Sequence, residues 1–275
     1  MGWKLNRRKF VGIAVVLLVL TAVMGVSALM LHHTIQLRKE ASEYPPSGTV
    51  VEVHNKKMHV YAEGGGDLTL VFMAGHGTSN PTLDFKPLWI RMKDEYRIAV
   101  IEKSGYGWSD VSNSSRDVDT LLEETRKALE RSGEKAPYVL VPHSMSGLEA
   151  LYWAQTYPDE VQAIIGLDPC IPEVIDILPR AQYAQLYAMY AISRIGLSRY
   201  MAETDVGELF PLMRADDLTE EDKSVYMALF YKSAVTRDMI REVMFLEENA
   251  LAVHHQDIPV NIPLHFFISS APDSA

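Results

Sequence analysis

The sequence predicts an α/β fold, built on a mainly parallel sheet with helices on both faces and preceded by one transmembrane helix. An uncharged apolar run occupies residues 10–31. Apolar strand patterns alternate with helical patterns between residues 68 and 169, and one more strand pattern follows at residues 262–269. This alternation is typical of right-handed crossovers in a parallel sheet that helices cover on both sides. Between the two strand regions, helical spacing indicates a helical insertion.

The N-terminal run is long enough to cross a membrane. Residues 10–31 carry no charge, and a bilayer is crossed by about 20 apolar helical residues. A cleaved signal peptide is the alternative, because residues 26–28 (VSA) resemble a cleavage site, but the apolar region of such a peptide has only about 7–15 residues. We expect an uncleaved anchor whose basic end, residues 1–9, stays in the cytoplasm, so that the rest of the chain lies outside.

The composition fits one large α/β domain and argues against nucleic acid as a partner. The chain has 275 residues, 48% of them hydrophobic, which is ample for a core. Its formal charge of −10 argues against nucleic acid, because phosphate binding needs a basic surface. Cys170, the only cysteine, cannot form a disulfide within the chain, and we expect a packed side chain rather than a nucleophile. Neither a metal-ligand spacing nor a dinucleotide-binding glycine pattern occurs, so no cofactor is predicted.

The first half of the domain follows in order. Residues 32–48 are expected to be a tether, since EYPPSG at its end is typical of a short stiff linker. Two β-rich runs over residues 49–63 flank Asn55-Lys56-Lys57 and predict a hairpin. Residues 68–75 and 96–102 predict buried strands. Residues 115–133 predict a helix, with Ser115 as its cap and Gly133 as its stop.

The second half contains the remaining core and the insertion. Strands are predicted at residues 138–143, 161–169 and 262–269, and a helix at 147–157. Residues 49–169 and 258–275 therefore form the predicted core. Residues 170–257 form the helical insertion, which is rich in Met, Tyr and Leu at helical spacing. These side chains fit a subdomain core, and the same segment fits a lid over an active site.

A candidate nucleophile follows one of the buried strands. In VPHSMSG, residues 141–147, Ser144 lies between the end of a strand and the start of a helix. A hydroxyl nucleophile needs such a tight turn, with small residues two positions to either side of the serine. Ser146 is small, and Pro142 is tolerable where the strand is finishing. The alternatives are Ser146 as the nucleophile, which places Leu148 at a small position, and Ser144 as a helix cap.

Four segments of the chain resemble the α/β-hydrolase family. PHSMSG is similar to that family's G-H-S-M-G-G, and YPDEV continues it after the next helix. AGHGTSN at residues 74–80 resembles the family's H-G loop. IEKSGYGWSD at 101–110 resembles its D-x-R-G-x-G-x-S segment, with Glu102 and Lys103 replacing Asp and Arg. The resemblance covers residues 49–273 and is greatest to the lid-bearing branch with proline iminopeptidases, small-ester hydrolases and haloalkane dehalogenases.

The resemblance implies roles for individual residues. Ser144 would be the nucleophile, and the backbone N–H groups of Met145 and Thr78 would form the oxyanion hole. His76 would support its loop rather than act as the base. Dehalogenase chemistry is disfavoured, because it would need a carboxylate at position 144. The resemblance therefore implies acyl transfer to water.

Two aspartates are candidates for the acid of the triad. Asp168 ends the predicted sixth strand, where some lid-bearing relatives place the acid. Asp273 follows the last predicted strand, where most members of the family place it. Asp168 is favoured, and either residue alternatively caps a turn.

The base is missing from its expected position. The family places a histidine after an eighth strand, but this chain ends at Ala275, six residues past the last predicted strand. His254, His255 and His265 are expected to be surface or packed residues. We expect an incomplete copy of a longer protein, since a missing strand would leave an open sheet edge. A shortened, weakly active or inactive relative is the alternative.

Two functions follow from these patterns. The first is a membrane-anchored serine hydrolase that acts outside the cytoplasm on a small ester or amide. The second is a non-catalytic α/β-hydrolase-like module that binds an apolar ligand or a partner under its lid. The partners predicted are a small molecule and a membrane, without nucleic acid.

Overall fold

The central element of the structure, a computed structural model, is a seven-stranded sheet. Residues 2–174, 180–201, 203–209, 215–257, 259 and 261–269 are described. The strands occur in the order β1-β2-β4-β3-β5-β6-β7, and all pairs from β4 to β7 are parallel. They are β1 (Thr49–Val53), β2 (Lys56–Glu63), β3 (Thr69–Met73), β4 (Arg97–Glu102), β5 (Tyr138–Pro142), β6 (Val161–Leu167) and β7 (Leu264–Phe267). The predicted mainly parallel sheet is confirmed.

Helices precede the sheet, cover it, and fill the insertion between β6 and β7. They are α1 (Gly2–Glu43), α2 (Pro81–Asp84), α3 (Lys86–Trp89), α4 (Val118–Ser132), α5 (Ser146–Thr156), α6 (Arg180–Arg194), α7 (Glu203–Leu209), α8 (Glu220–Ser233), α9 (Arg237–Met244) and α10 (Leu246–His254). Short 3₁₀ helices lie at Pro158–Glu160, Pro172–Val174 and Leu197–Tyr200. The helical character predicted for the insertion is confirmed in its described parts.

The core consists of two apolar layers, one on each face of the sheet. One layer packs α4 and α5 against the sheet around Val71, Leu140 and Trp153, which are fully buried. The other places Phe72 against Phe85 on the opposite face. Because β3 and β5 are buried on both faces, their sequences are nearly continuous apolar runs, as parallel strands require.

Two local predictions need correction. The hairpin turn is formed by His54 and Asn55, one residue earlier than predicted, since both have positive φ (50° and 59°), as a two-residue type I′ turn requires. The cap of α4 is Asp117 rather than Ser115, because the Asp117 side chain accepts a hydrogen bond from the Thr120 N–H. Gly133 ends α4 in the left-handed conformation, as predicted.

The tether predicted for residues 32–48 is also corrected. Helix α1 continues without a break to Glu43, so residues 32–43 are helical. His33 is buried, and Glu40 forms a bidentate ion pair with Arg199 at 2.5 and 2.8 Å. The Trp108 Nε1–H then donates to the Tyr44 carbonyl at 3.2 Å. Helix α1 is therefore fixed to the domain by specific contacts, in contrast to its exposed apolar stretch at residues 10–31.

Buried charges fasten α9 of the insertion to the end of β4. The Lys103 ammonium forms an ion pair with Glu242, and both side chains are 4% exposed. The Tyr106 hydroxyl donates to the other oxygen of Glu242. Burial raises the pKa of Glu242, but the charge and hydrogen bond of Lys103, together with the hydrogen bond of Tyr106, outweigh burial and hold that pKa below its ordinary value. The carboxylate is therefore ionised and paired.

Removing the charge of Glu242 is expected to destabilise the fold. Glu242→Gln leaves the Lys103 charge buried without its partner, which costs about 3–5 kcal/mol when a buried pair is broken. The measurement is the free energy of unfolding of the detergent-solubilised chain. Glu123→Gln is the matched control, because its pair with Lys127 is exposed (49% and 37%) and is worth no more than about 0.5 kcal/mol. Equal losses in the two variants would contradict this assignment.

A second buried acid on α9 gives a pH dependence to stability. Asp238 is fully buried, its Oδ2 accepts from the Ser112 N–H at 2.6 Å, and its Oδ1 has no hydrogen-bond partner among the described residues. Burial raises the pKa of Asp238 to about 6. Between the unfolded pKa of about 4 and this value, the folded state binds more protons, so stability falls as pH rises.

The variant Asp238→Asn isolates this effect, because its amide oxygen keeps the Ser112 bond and does not titrate. Relative to Asp238→Asn, the free energy of unfolding of the unaltered chain is expected to fall by roughly 2 kcal/mol between pH 4 and pH 7. Denaturant unfolding at a series of pH values measures this difference. A difference that stays constant with pH would contradict the raised pKa.

Candidate functional site

Ser144 lies at the sharp bend between the end of β5 and the start of α5. Its φ is +51°, in the left-handed region that costs a non-glycine residue about 1–2 kcal/mol. Residues keep such a conformation only where their surroundings enforce it. This is the tight strand-to-helix turn that the sequence predicts around Ser144.

The hydroxyl of Ser146 holds the bend in place. It lies 2.6 Å from the Met73 carbonyl oxygen and 2.9 Å from that of His143, and it accepts from the His143 N–H at 3.2 Å. Ser146 is 1% exposed, so it is not available as a nucleophile. The serine that replaces the usual glycine therefore connects the bend to the end of β3.

Pro142 is accommodated because it lies at the end of the hydrogen-bond ladder between β3 and β5. It pairs with Met73 as the last residue of β5. The Met73 carbonyl instead accepts from the His143 N–H at 2.9 Å, so the donor that proline lacks is supplied by the next residue.

Two glycines allow neighbouring loops to approach the bend. A Cβ on Gly75 would lie 2.8 Å from the Ser144 Cβ, and a Cβ on Gly147 would lie 2.4 Å from the Cys170 carbonyl oxygen. The loop after β3 and the loop after β6 thus both contact the turn that carries Ser144. This brings the segments predicted for the site together at the carboxyl ends of three parallel strands.

The two amides proposed for the oxyanion hole have no acceptor in the described part of the chain. Met145 precedes α5 with φ −55°, and its N–H is not hydrogen-bonded to any described group. The same holds for the N–H of Thr78, which follows Gly77 with its positive φ of 78°. Unpaired N–H groups are available to donate to a developing oxyanion.

Asp168 lies at the end of β6 in a left-handed conformation, with φ +48°. Its carboxylate accepts from the Ser269 hydroxyl at 2.5 Å and from the Ser269 N–H at 3.3 Å. These two bonds hold the pKa of Asp168 below its ordinary value. Asp168 is therefore an exposed carboxylate held toward β7, and no histidine is hydrogen-bonded to it among the described residues. Asp273 lies outside the described residues.

Cys170 is the residue at this site that the sequence interpretation missed. Its N–H donates to the Ser144 carbonyl at 2.8 Å. Burial raises the pKa of the Cys170 thiol, and a hydrogen bond with the Ser144 side chain opposes this shift. The only signal in the sequence was its place two residues after Asp168, at the same strand end.

Hydrogen bonding does not connect any of the histidines to the Ser144 hydroxyl. All nine are described, and none is hydrogen-bonded to Ser144. His143 precedes Ser144, and its side chain is exposed. Burial lowers the pKa of His76, whose Nδ1 has no partner among the described residues. His254, His255 and His265 are exposed, so the prediction of a surface position is confirmed for them.

The comparisons with known proteins agree with the observed fold. The sequence model of the alpha/beta hydrolase fold matches residues 76–193. The chain is 39% identical over 264 residues to the uncharacterized protein YbdG of Bacillus subtilis, covering 95% of this chain and 79% of that protein. It is 26% identical over 118 residues to the 2-(acetamidomethylene)succinate hydrolase of Mesorhizobium japonicum, covering 43% of this chain and 41% of that one.

Two solved structures show the same fold at low sequence identity. One is the epoxide hydrolase VrEH1 from Vigna radiata, with a TM-score of 0.56 and 22% identity, covering 79% of this chain and 77% of that one. The other is the enol-lactonase from Burkholderia xenovorans, with a TM-score of 0.52 and 18% identity, covering 79% and 80%.

The close approach at Gly147 gives a test of the bend. Gly147→Ala places a methyl group against the Cys170 carbonyl, and such overpacking costs about 1–3 kcal/mol. Gly65→Ala is the matched control, since nothing lies within 4 Å of its Cβ, and we expect it to be neutral or to stabilise by about 0.4–1 kcal/mol. Denaturant unfolding measures both, and a Gly147→Ala protein as stable as Gly65→Ala would contradict the contact.

Proposed function

The chain belongs to the alpha/beta hydrolase fold family, and we propose that it is a membrane-anchored serine hydrolase that cleaves an ester or amide bond through an acyl-enzyme on Ser144. The observation that carries the proposal is the bend at Ser144, with its left-handed backbone and the unpaired amide of the next residue, Met145. The match to the alpha/beta hydrolase model and the similarity to the 2-(acetamidomethylene)succinate hydrolase support a hydrolytic reaction.

The proposed reaction has two steps. The Ser144 Oγ attacks the carbonyl carbon of the substrate, and the negative charge on the carbonyl oxygen is stabilised by the N–H groups of Met145 and Thr78. The bond to the leaving group breaks, the alcohol or amine leaves with the proton of the serine, and an acyl-enzyme remains. Water then attacks the same carbonyl carbon, the acid is released, and Ser144 regains its proton.

Asp168 is the proposed acid, because it ends β6 beside the bend and its carboxylate is ionised. The base that receives the proton of Ser144 is not identified among the described residues. Acyl transfer without a positioned base is slow, and we expect little turnover from this form. Efficient ester hydrolysis by it would show that one of the nine histidines reaches Ser144.

The membrane anchor rests on α1. Among the described residues, it is the one helix long and apolar enough to cross a membrane, over Lys9–Glu43. The side chains of residues 10–31 are nearly all exposed, in contrast to the buried apolar residues of the domain. The basic residues before the run support a cytoplasmic N-terminus and a domain outside.

A non-catalytic binding module is the second candidate, and the contacts of Ser144 and Asp168 favour it. No described histidine is hydrogen-bonded to the Ser144 hydroxyl, and the Asp168 carboxylate accepts from the Ser269 hydroxyl instead. Neither therefore makes the histidine contact that a complete triad contains.

Labelling with a fluorophosphonate probe distinguishes the two functions. The serine hydrolase is expected to be phosphonylated at Ser144, slowly because no described histidine activates it, and Ser144→Ala is expected to lose the label. Ser146→Ala is the matched control and is expected to keep the label, because the Ser146 hydroxyl is buried. Mass spectrometry of the labelled peptide gives the site.

Two outcomes would overturn the hydrolase proposal. Equal labelling of Ser144→Ala would place the reactive hydroxyl elsewhere. A correctly folded chain that the probe does not label at all would favour the binding module.

A further inference from the structure

The segment from α6 to the end of the following 3₁₀ helix is unusually apolar for a surface. Five of its large side chains are exposed by 40–70%: Tyr187, Met189, Ile192, Leu197 and Tyr200. Scattered single apolar residues are normal on a protein surface, but a stretch of them on one short segment indicates an interaction site. This set is called the α6 patch below.

The charge of the same segment differs from that of the rest of the chain. Residues 177–202 contain three arginines and neither Asp nor Glu, although the chain as a whole has a formal charge of −10. Interfacial helices combine apolar and aromatic side chains with basic ones in this way. Arg199 is paired with Glu40, while Arg194 is exposed, so the segment presents basic charge and no acidic residue of its own to an anionic lipid surface.

Contacts with α1 fix the position of the α6 patch along the axis of α1, relative to the end of the apolar run. A Cβ on Gly196 would lie 2.6 Å from the Cβ of His33, so Gly196 packs directly against the His33 side chain. His33 is two residues beyond Leu31, the last residue of the apolar run, and this separation is about 3 Å along a helix axis. Leu197 and Tyr200 directly follow Gly196, and so they lie near the depth at which the apolar run of α1 ends.

Arg199 fixes this arrangement. Its guanidinium forms the bidentate ion pair with Glu40, and its Nε–H donates to the His33 Nδ1 at 2.8 Å. The same guanidinium lies over the ring of Tyr231 on α8, 4.7 Å from its centroid. Arg199 therefore holds this segment to α1 on one side and to α8 on the other.

We propose that the α6 patch docks into the headgroup region of the bilayer that α1 crosses. The inference rests on the membrane anchor of the proposed function. A lipid surface fits better than a protein partner, because the patch continues the apolar surface of α1 at the level where the polar headgroups begin. An exposed tyrosine such as Tyr200 is typical of that zone, where the ring is partly buried and the hydroxyl stays hydrated. Docking would hold the insertion close to the membrane, together with the candidate site around Ser144.

The test uses the whole chain in vesicles of phosphatidylcholine and phosphatidylglycerol. Single cysteines replace Leu197, Tyr200, Val19 and Glu130 in turn, each in a Cys170→Ser background, and each carries an environment-sensitive fluorophore. Val19 lies in the apolar run, and Glu130 is exposed on α4. Quenchers attached to lipid chains near the headgroup, and a water-soluble quencher, are compared for each position.

The labels at positions 197 and 200 are expected to shift to shorter wavelength in vesicles and to be quenched by the lipid-attached quencher. The label at position 130 is expected to be quenched only from water. The inference is overturned if the labels at positions 197 and 200 are quenched only from water, like the label at position 130. If the label at position 19 is quenched by the lipid-attached quencher in that case, the membrane anchor still stands. Protection of 197 and 200 from both quenchers would show a protein partner or a second copy, which also overturns it. If position 19 too is quenched only from water, the anchor and this inference fail together.

Discussion

The left-handed backbone of Ser144 is the constraint on which the candidate site depends. A residue with a side chain adopts this conformation only under enforcement, and here the enforcement comes from three strand ends. The Ser146 hydroxyl connects the bend to β3, and Gly75 and Gly147 let the loops after β3 and β6 approach it. Because the strands are parallel, their carboxyl ends meet at one edge, so Ser144, Asp168 and the amide of Thr78 lie on the same side of the sheet.

The second organising feature is the connection between α1 and the helical insertion. One continuous helix contains the apolar run and the residues that bind Arg199, so no flexible joint separates the two. The buried pair of Lys103 and Glu242 then connects the insertion to the end of β4. A movement of the insertion relative to the membrane would therefore have to break contacts at both places, and this couples the proposed anchor to the proposed site.

The elements set by local pattern were predictable from the sequence. The apolar runs gave the strands, Gly133 gave the end of α4, and the bend at Ser144 followed from small residues between a strand and a helix. What depends on distant contacts was not predictable. Helix α1 continues past residue 31 because Arg199, far along the chain, binds Glu40. The contact of Cys170 with Ser144 likewise arises from two loops that only the folded sheet brings together.

The most direct measurement of the central claim is a crystal structure of the chain after reaction with a fluorophosphonate. We expect a phosphorus atom bonded to the Ser144 Oγ, with one phosphonyl oxygen about 2.7–3.1 Å from the amide nitrogens of Met145 and Thr78. We also expect Ser144 to keep its positive φ in the adduct. A phosphonyl group on another residue, or an oxygen directed away from both amides, would contradict the claim.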